Sequence, residues 1–280
     1  VRIVPWLIAG VVSAGACGGC HRDSEPAQKA SPAATASAGS PTLANGRPRV
    51  PTVVPQIVTS MAHGHGWFTQ GLAFWEGRLF EGTGMYGESL VHELDPHTGS
   101  EMRKVPDDAL LFGEGITVFH DELYQLTWRE HECVVYDADT LHPKRTLAYD
   151  GEGWGLTNDG ESLITSDGSS TLSYRDPETF RVEKVLPVTY EGEPLLELNE
   201  LEMVRGEIWA NVWQTDFIVR ISPKNGHVVG RLDLSGIQSF EEKSRDPDDV
   251  LNGIAFDERS GRILVTGKRW KRVFEIGVGP

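Results

Sequence analysis

From residue 67 to residue 276 the apolar residues fall in short runs separated by polar turns, and the succession repeats five times. Each repeat opens alike: Gln70-Gly71-Leu72, Glu114-Gly115-Ile116, Trp154-Gly155-Leu156, Asn199-Glu200-Leu201 and Asn252-Gly253-Ile254. A polar turn such as Trp75-Glu76-Gly77 or Asn158-Asp159-Gly160 follows, then a second apolar run at Leu79-Phe80, Leu123-Tyr124, Leu163-Ile164, Ile208-Trp209 and Ile263-Leu264. Two apolar runs joined by so short a turn predict a β-hairpin. A third run comes next, at Val91 to Leu94, Val134 to Tyr136, Leu172 to Tyr174, Ile218 to Ile221 and Val273 to Ile276. In the first four repeats it reaches a turn, and a fourth run leads onward. The repeat is 42 residues long, the size of a four-stranded propeller blade. The expected fold class is therefore all-β, a five-bladed β-propeller. The last repeat stops after its third strand, so Val53 to Val58, ahead of the first repeat, is expected to complete the last blade as an N-terminal closing strand. Such closure removes an exposed sheet edge. An open sandwich with irregular repeats fits the regular period less well.

The N-terminal part has a different pattern. Arg2, the apolar stretch Ile3 to Val12 and the small residues up to Cys17 read as a signal peptide over 1–20, too short to span a membrane. Ala14-Gly15-Ala16-Cys17 resembles a bacterial lipoprotein signal, in which the cysteine is lipidated; an ordinary secretory signal is the other reading. Residues 21–50 are Ala, Ser, Pro, Gly and Thr with almost no large apolar side chain, a tether that cannot bury enough surface to order itself. The propeller domain is thus 51–280, and the expected location is exported, either periplasmic or anchored as a lipoprotein through Cys17.

Charge excludes one class of partner. Residues 51–280 carry 21 basic and 39 acidic side chains, a net of −18, so a nucleic acid held by phosphate neutralisation is not expected. Gly (31) and Pro (16) are frequent, as an all-β chain with many turns requires. Cys133 alone remains for the folded part. It is expected to be a half-buried strand residue and not a nucleophile, and the expectation is a monomer.

The repeats also locate candidate chemistry. Innermost strands of a propeller all start on one face, so equivalent residues converge there: Gln70, Glu114, Trp154, Asn199 and Asn252. A second equivalent set, Gly84, Trp128, Gly168, Trp213 and Lys268, is brought to the same mouth by antiparallel pairing. A purely structural repeat would hold similar residues at these positions. Here they are a carboxylate, amides, an ammonium and three indoles, which marks a ligand site on a repeated scaffold.

The strings Phe68-Thr69-Gln70-Gly71-Leu72, Phe112-Gly113-Glu114-Gly115-Ile116-Thr117, Leu126-Thr127-Trp128, Gly153-Trp154-Gly155-Leu156-Thr157, Leu198-Asn199-Glu200-Leu201-Glu202, Ala210-Asn211-Val212-Trp213 and Thr266-Gly267-Lys268-Arg269-Trp270 resemble the plant-type and bacterial glutaminyl cyclases, or glutaminyl-peptide cyclotransferases. The likeness spans about residues 53 to 276 and touches all five repeats in order. It implies a propeller enzyme, an acyltransferase that converts the N-terminal glutamine of peptides or proteins to pyroglutamate with release of ammonia, with no cofactor and no catalytic metal. It also implies that Glu114 is the acid/base, that Phe68, Trp128, Trp154 and Trp213 shape the pocket, and that Gln70, Asn199 and Lys268 are polar contacts. Two stretches depart from the family pattern: His92, where Arg is common, and the loop His63-Gly64-His65-Gly66.

The residue types suit that reaction on their own terms. The substrate's α-amine is partly neutral at pH 7, whereas an amide nitrogen leaves badly as an anion, so one carboxyl that moves a proton between them serves both. Indole walls would confine the flexible glutamine side chain, and Lys268, Asn199 or Gln70 could stabilise an oxyanion. Two other classes compete: Glu114, Asn199 and Asn252 also resemble the oxygen ligands of a calcium-dependent propeller lactonase, and a non-catalytic propeller could bind peptides at this mouth. His63 and His65 have metal-ligand spacing but no third partner nearby in sequence.

Overall fold

The computed structural model describes residues 49–239, 242 and 244–279, which form strands and turns with no helix. The signal segment 1–20 and residues 21–48 of the tether lie outside the described residues.

Five antiparallel blades follow one another along the chain. The first orders Thr69–Trp75, Arg78–Thr83, Leu90–Leu94 and Glu101–Pro106 from the centre outwards, and the second Gly113–Phe119, Glu122–Thr127, Glu132–Asp137 and Pro143–Ala148. In the third the strands are Leu156–Asn158, Leu163–Thr165, Thr171–Arg175 and Val182–Pro187, and in the fourth Leu198–Val204, Glu207–Val212, Phe217–Ile221 and Val228–Asp233. The fifth contributes Leu251–Asp257, Arg262–Gly267 and Arg272–Gly277. Its outer strand is Gln56–Ala62, antiparallel to Arg272–Gly277 with Ile57 opposite Ile276 and Met61 opposite Val273. The N-terminal segment therefore closes the ring.

Closure differs in detail from the expected strand Val53 to Val58. Pro55 has no N–H to donate and divides the segment in two. Thr52–Val53 runs parallel to the outer strand of the fourth blade, and the fifth-blade strand begins only at Gln56. One segment thus ties two blades together.

Alternation along each strand turns apolar residues to both faces of a blade, where they meet the next blade. Leu72, Leu79 and Leu94 of the first blade pack on Ala255, Leu264 and Val273 of the fifth, across the point of closure. Trp209 of the fourth packs with Ile254, Val265, Trp270 and Phe274 of the fifth. Cys133, expected to be half-buried, is fully buried in the second blade. There burial pushes its thiol far up, away from reactivity.

At the centre the innermost strands approach too closely for side chains. A Cβ on Gly155 would stand 2.1 Å from the Asn199 carbonyl oxygen, which explains the glycine in the repeated opening. The fourth repeat has Glu200 in its place. The Glu200 carboxyl accepts the N–H of Leu72 at 3.3 Å and that of Ile254, so it reaches across the channel to the first and fifth blades.

Candidate active site

One backbone hydrogen bond recurs and builds the mouth. The N–H of Gly84, Trp128, Trp213 and Lys268 donates to the carbonyl of Phe68, Phe112, Glu197 and Val250, at 2.9, 2.9, 2.8 and 2.9 Å respectively. Each acceptor lies two residues before an innermost-strand residue of the first converging set, so both sets meet at one end of the channel. The third blade departs: Gly168 donates instead to Leu198 of the next blade. Small residues in the second set make room for rings. A Cβ on Gly84 would fall 2.4 Å from Phe112 Cε1, and one on Gly168, whose φ is +79°, 2.7 Å from the Trp154 ring.

The mouth encloses a cavity of about 330 Å³ lined by Phe68, Gln70, Met85, Phe112, Glu114, Trp128, Trp154, Asn199, Trp213, Asp248 and Lys268. Of the nine non-glycine residues assigned to this mouth from sequence, eight line it. Asn252 does not: fully buried, it donates its amide to the Thr69 carbonyl at 3.0 Å and to Gln70 Oε1 at 3.3 Å, so it holds Gln70 from behind. Three lining residues were not singled out. Phe112 lies two positions before Glu114, just ahead of the strand Gly113–Phe119, as Phe68 lies ahead of Thr69–Trp75 two positions before Gln70. Met85 sits in the Gly84-to-Gly87 turn at φ +110°, a strained conformation its carbonyl secures by accepting from Glu88, Ser89 and the Ser89 hydroxyl. Asp248 comes from an acidic loop outside the repeat, and no sequence signal marks it.

Glu114 is 5% exposed. Burial pushes its carboxyl well above the usual range, Lys268 opposes that rise, and Glu152 and Glu130 add to it. Gln70 Nε2 donates to its Oε1 at 3.2 Å. Lys268 is held below its ordinary value by burial, against the pull of Glu114 and Asp248, and its Nζ stands 4.6 Å from the centre of the Phe68 ring. A cation over an aromatic face in so dry a place is an appreciable attraction.

The indole walls have their own support. Trp128 Nε1 and Trp154 Nε1 both donate to Glu152 Oε2, at 2.9 and 3.1 Å. Arg129 donates to the other oxygen at 2.9 Å and stacks 3.6 Å over Trp128. Trp213 stands edge-on to Trp154 with ring centres 5.8 Å apart. Glu130 accepts from Tyr86 at 2.8 Å and from the N–H of Phe112 at 3.3 Å. Asn199 is buried and its Oδ1 has no protein partner. An unpaired acceptor of this kind is costly unless a ligand or water meets it.

A propeller whose mouth combines one buried carboxyl, an ammonium, amides and aromatic walls is built to hold a small amine or amide and to move protons on it. The sequence profile of the glutamine cyclotransferase family matches residues 29–278, and the chain belongs to that family. It is 41% identical over 224 residues to the glutaminyl-peptide cyclotransferase of Arabidopsis thaliana, covering 79% of this chain and 70% of that protein. Its fold matches the crystal structure of Myxococcus xanthus glutaminyl cyclase with a TM-score of 0.76 at 34% identity, over 82% of this chain and 97% of the other.

Proposed function

We infer that the chain is a glutaminyl-peptide cyclotransferase, an enzyme that closes the N-terminal glutamine of peptides or proteins to pyroglutamate and releases ammonia. The observation that carries the mechanism is Glu114: a buried carboxyl of raised proton affinity inside aromatic walls. The α-amine nitrogen attacks the side-chain carbonyl carbon, a C–N bond forms, and the bond to the original amide nitrogen then breaks. One proton leaves the attacking nitrogen and one is gained by the departing nitrogen. A carboxyl whose proton affinity is raised by burial holds this proton more readily than an ordinary carboxylate and can pass it on to the leaving nitrogen. In this reading Asn199 Oδ1 receives the amine, while Lys268 and the Gln70 amide face charge developing on the carbonyl oxygen. The Trp128, Trp154, Trp213 and Phe68 rings confine the side chain near its cyclic shape.

Because each proton and charge has a side chain to serve it, the proposed chemistry runs without a metal. The calcium-lactonase alternative needs Asn252 as a ligand beside Glu114 and Asn199, yet Asn252 lies outside the cavity those two line, and the Lys268 ammonium that shares that cavity would repel a divalent cation. Export, attachment through a lipidated Cys17 and a monomeric state complete the proposal, and their support is the sequence pattern alone. The test is to incubate the protein with a Gln-initiated peptide, with and without EDTA, and to measure ammonia. Equal release in both arms is expected. Release lost to EDTA and restored by Ca²⁺ or Zn²⁺ would move the chemistry to a metal.

A further inference from the structure

His63, one of the two departures noted in the sequence, is 8% exposed and has an acceptor at each ring nitrogen. The Trp270 carbonyl oxygen lies 2.7 Å from Nδ1, and the Glu81 oxygens lie 2.9 and 3.1 Å from Nε2. A carbonyl only accepts. Glu81 in turn accepts the Thr69 hydroxyl at 2.6 Å, so its oxygens meet donors as an ionised carboxylate does. Both nitrogens of His63 therefore donate, and the ring is an imidazolium. Burial is the largest influence on His63 and opposes its charge, but the Glu81 charge and hydrogen bond together with the Trp270 carbonyl raise its pKa overall; burial likewise opposes ionisation of Glu81, and His63, His92 and the Thr69 hydroxyl together lower its pKa.

The pair touches both polar neighbours of Glu114 indirectly. On one side Thr69 leads into Gln70, whose amide reaches Glu114. On the other, the peptide N–H of His63 donates to the Lys271 carbonyl at 3.0 Å while its ring holds the Trp270 carbonyl. These carbonyls end the tight turn that carries Lys268, in which the Trp270 N–H donates to Gly267 at 3.0 Å and Arg269 has φ +56°. We propose that the buried His63–Glu81 ion pair is a positioning element of the active site, clamping the start of the first blade to the Lys268 turn so that Gln70 and Lys268 stay in register with Glu114. The proposal rests on the reading that glutamine cyclises in this cavity.

The surroundings make the clamp sensitive to pH. Trp67 lies edge-on to His63 and stacks on His92, with ring centres 5.4 and 4.2 Å apart. His92, in the third strand of the blade, is kept low in proton affinity by burial and bonds to Glu101 at 2.9 Å, and Lys104 pairs with Glu101 beyond it. Among the described residues the fifth blade's hydrogen bond to the pair's side chains comes from the Trp270 carbonyl, and the Arg269 guanidinium is paired elsewhere, with Asp246 and Asp249. The His63 pKa is raised above 6.5 and that of Glu81 lowered below 4.5. The clamp is thus complete between those two folded-state values: it is lost as pH rises through that of His63 and as pH falls through that of Glu81.

His63→Gln and Glu81→Gln keep size and a hydrogen-bonding group but remove the charge. Thr69→Val keeps shape and the His63–Glu81 charges but removes the hydroxyl that Glu81 accepts, with its longer contacts to His63 and the Gly267 carbonyl. For a Gln-initiated peptide, kcat is expected to fall roughly tenfold to a hundredfold in the charge variants, the scale of a small misplacement of catalytic groups, with little change in KM. The descending basic limb of the wild-type kcat–pH profile should move in them, because Lys268 and no longer His63 then sets it. Thr69→Val should lower kcat while leaving that limb in place, and it remains informative if a charge variant fails to fold. Nitrogen-labelled histidine NMR of the wild type should show both His63 ring nitrogens protonated at pH 7. A neutral His63 at that pH, or variants with wild-type kcat and an unaltered basic limb, would overturn the clamp. Wild-type protein that releases no ammonia would instead sink the cyclase reading itself.

Discussion

The side-chain amide of Gln70 donates to Glu114 Oε1 at 3.2 Å, and Gln70 is itself held from behind by Asn252. A donor at a carboxyl oxygen favours the ionised form. Gln70→Leu removes it, so the Glu114 pKa should rise further and the acidic limb of the kcat–pH profile should move to higher pH. Turnover at neutral pH should fall roughly tenfold, the scale of about 1.4 kcal/mol for one lost hydrogen bond. An unmoved acidic limb would mean that Gln70 does not govern the titration of Glu114.

Glu152 has two separable duties. Its oxygen receives both indole N–H groups, and its charge raises the Glu114 pKa. Glu152→Gln keeps an acceptor for the indoles and loses the charge, so the acidic limb should move to lower pH with KM nearly unchanged. Glu152→Ala releases the rings as well, and KM should rise severalfold. Steady-state kinetics of the two variants across pH separates wall from charge.

The repeats made the five blades, their order and the face of the site legible, because propeller geometry brings equivalent positions together whatever residues fill them. That same logic overreached at Asn252, which occupies the equivalent position but has Gln70 in front of it. It was silent on Met85 and Asp248, which come from loops that the repeat does not govern. Glu152 and Glu130 escaped notice for another reason: they act through Trp128, Trp154, Tyr86 and Phe112, and contacts between loops of different length leave no spacing to read. The closing strand was visible as an apolar run, but its start depended on Pro55 and on a second partner strand in the fourth blade.

Ring closure can be tested by truncation. Among the described residues, deleting 1–50 removes the Val50 N–H bond to Glu191 and the Val50 packing on the core between the third and fourth blades, and the melting temperature should change by only a few degrees. Deleting through Ser60 strips most of Gln56–Ala62 and exposes Arg272–Gly277 as an edge. A loss of several kcal/mol is expected, which for a domain of this size lowers the melting temperature by roughly ten degrees or more. Equal melting temperatures for the two truncations would contradict closure by this strand.

A carboxyl in the channel away from the mouth should shape stability. Burial raises the Glu202 pKa to about 8, although Phe256 donates its N–H at 2.8 Å. Below its ordinary 4.5 the group is protonated in folded and unfolded chains alike. Between there and about 8 only the unfolded chain ionises it, so the fold loses stability as pH rises. Glu202→Gln removes that dependence, and its melting temperature should gain on the wild type steadily from pH 5 to pH 8. A constant difference across that range would show that Glu202 titrates normally in the folded protein.

The central claim is that the Glu114 proton does the chemistry, and Glu114→Gln tests it most directly because size and hydrogen-bonding atoms are kept while the titrating proton is lost. Ammonia release from a Gln-initiated peptide should fall by roughly 10²–10⁴ in kcat, the loss typical of a missing general acid/base, with KM shifted by no more than about threefold. A variant that folds like the wild type and keeps more than about a tenth of its kcat would contradict the account and leave Glu114 as a structural carboxyl.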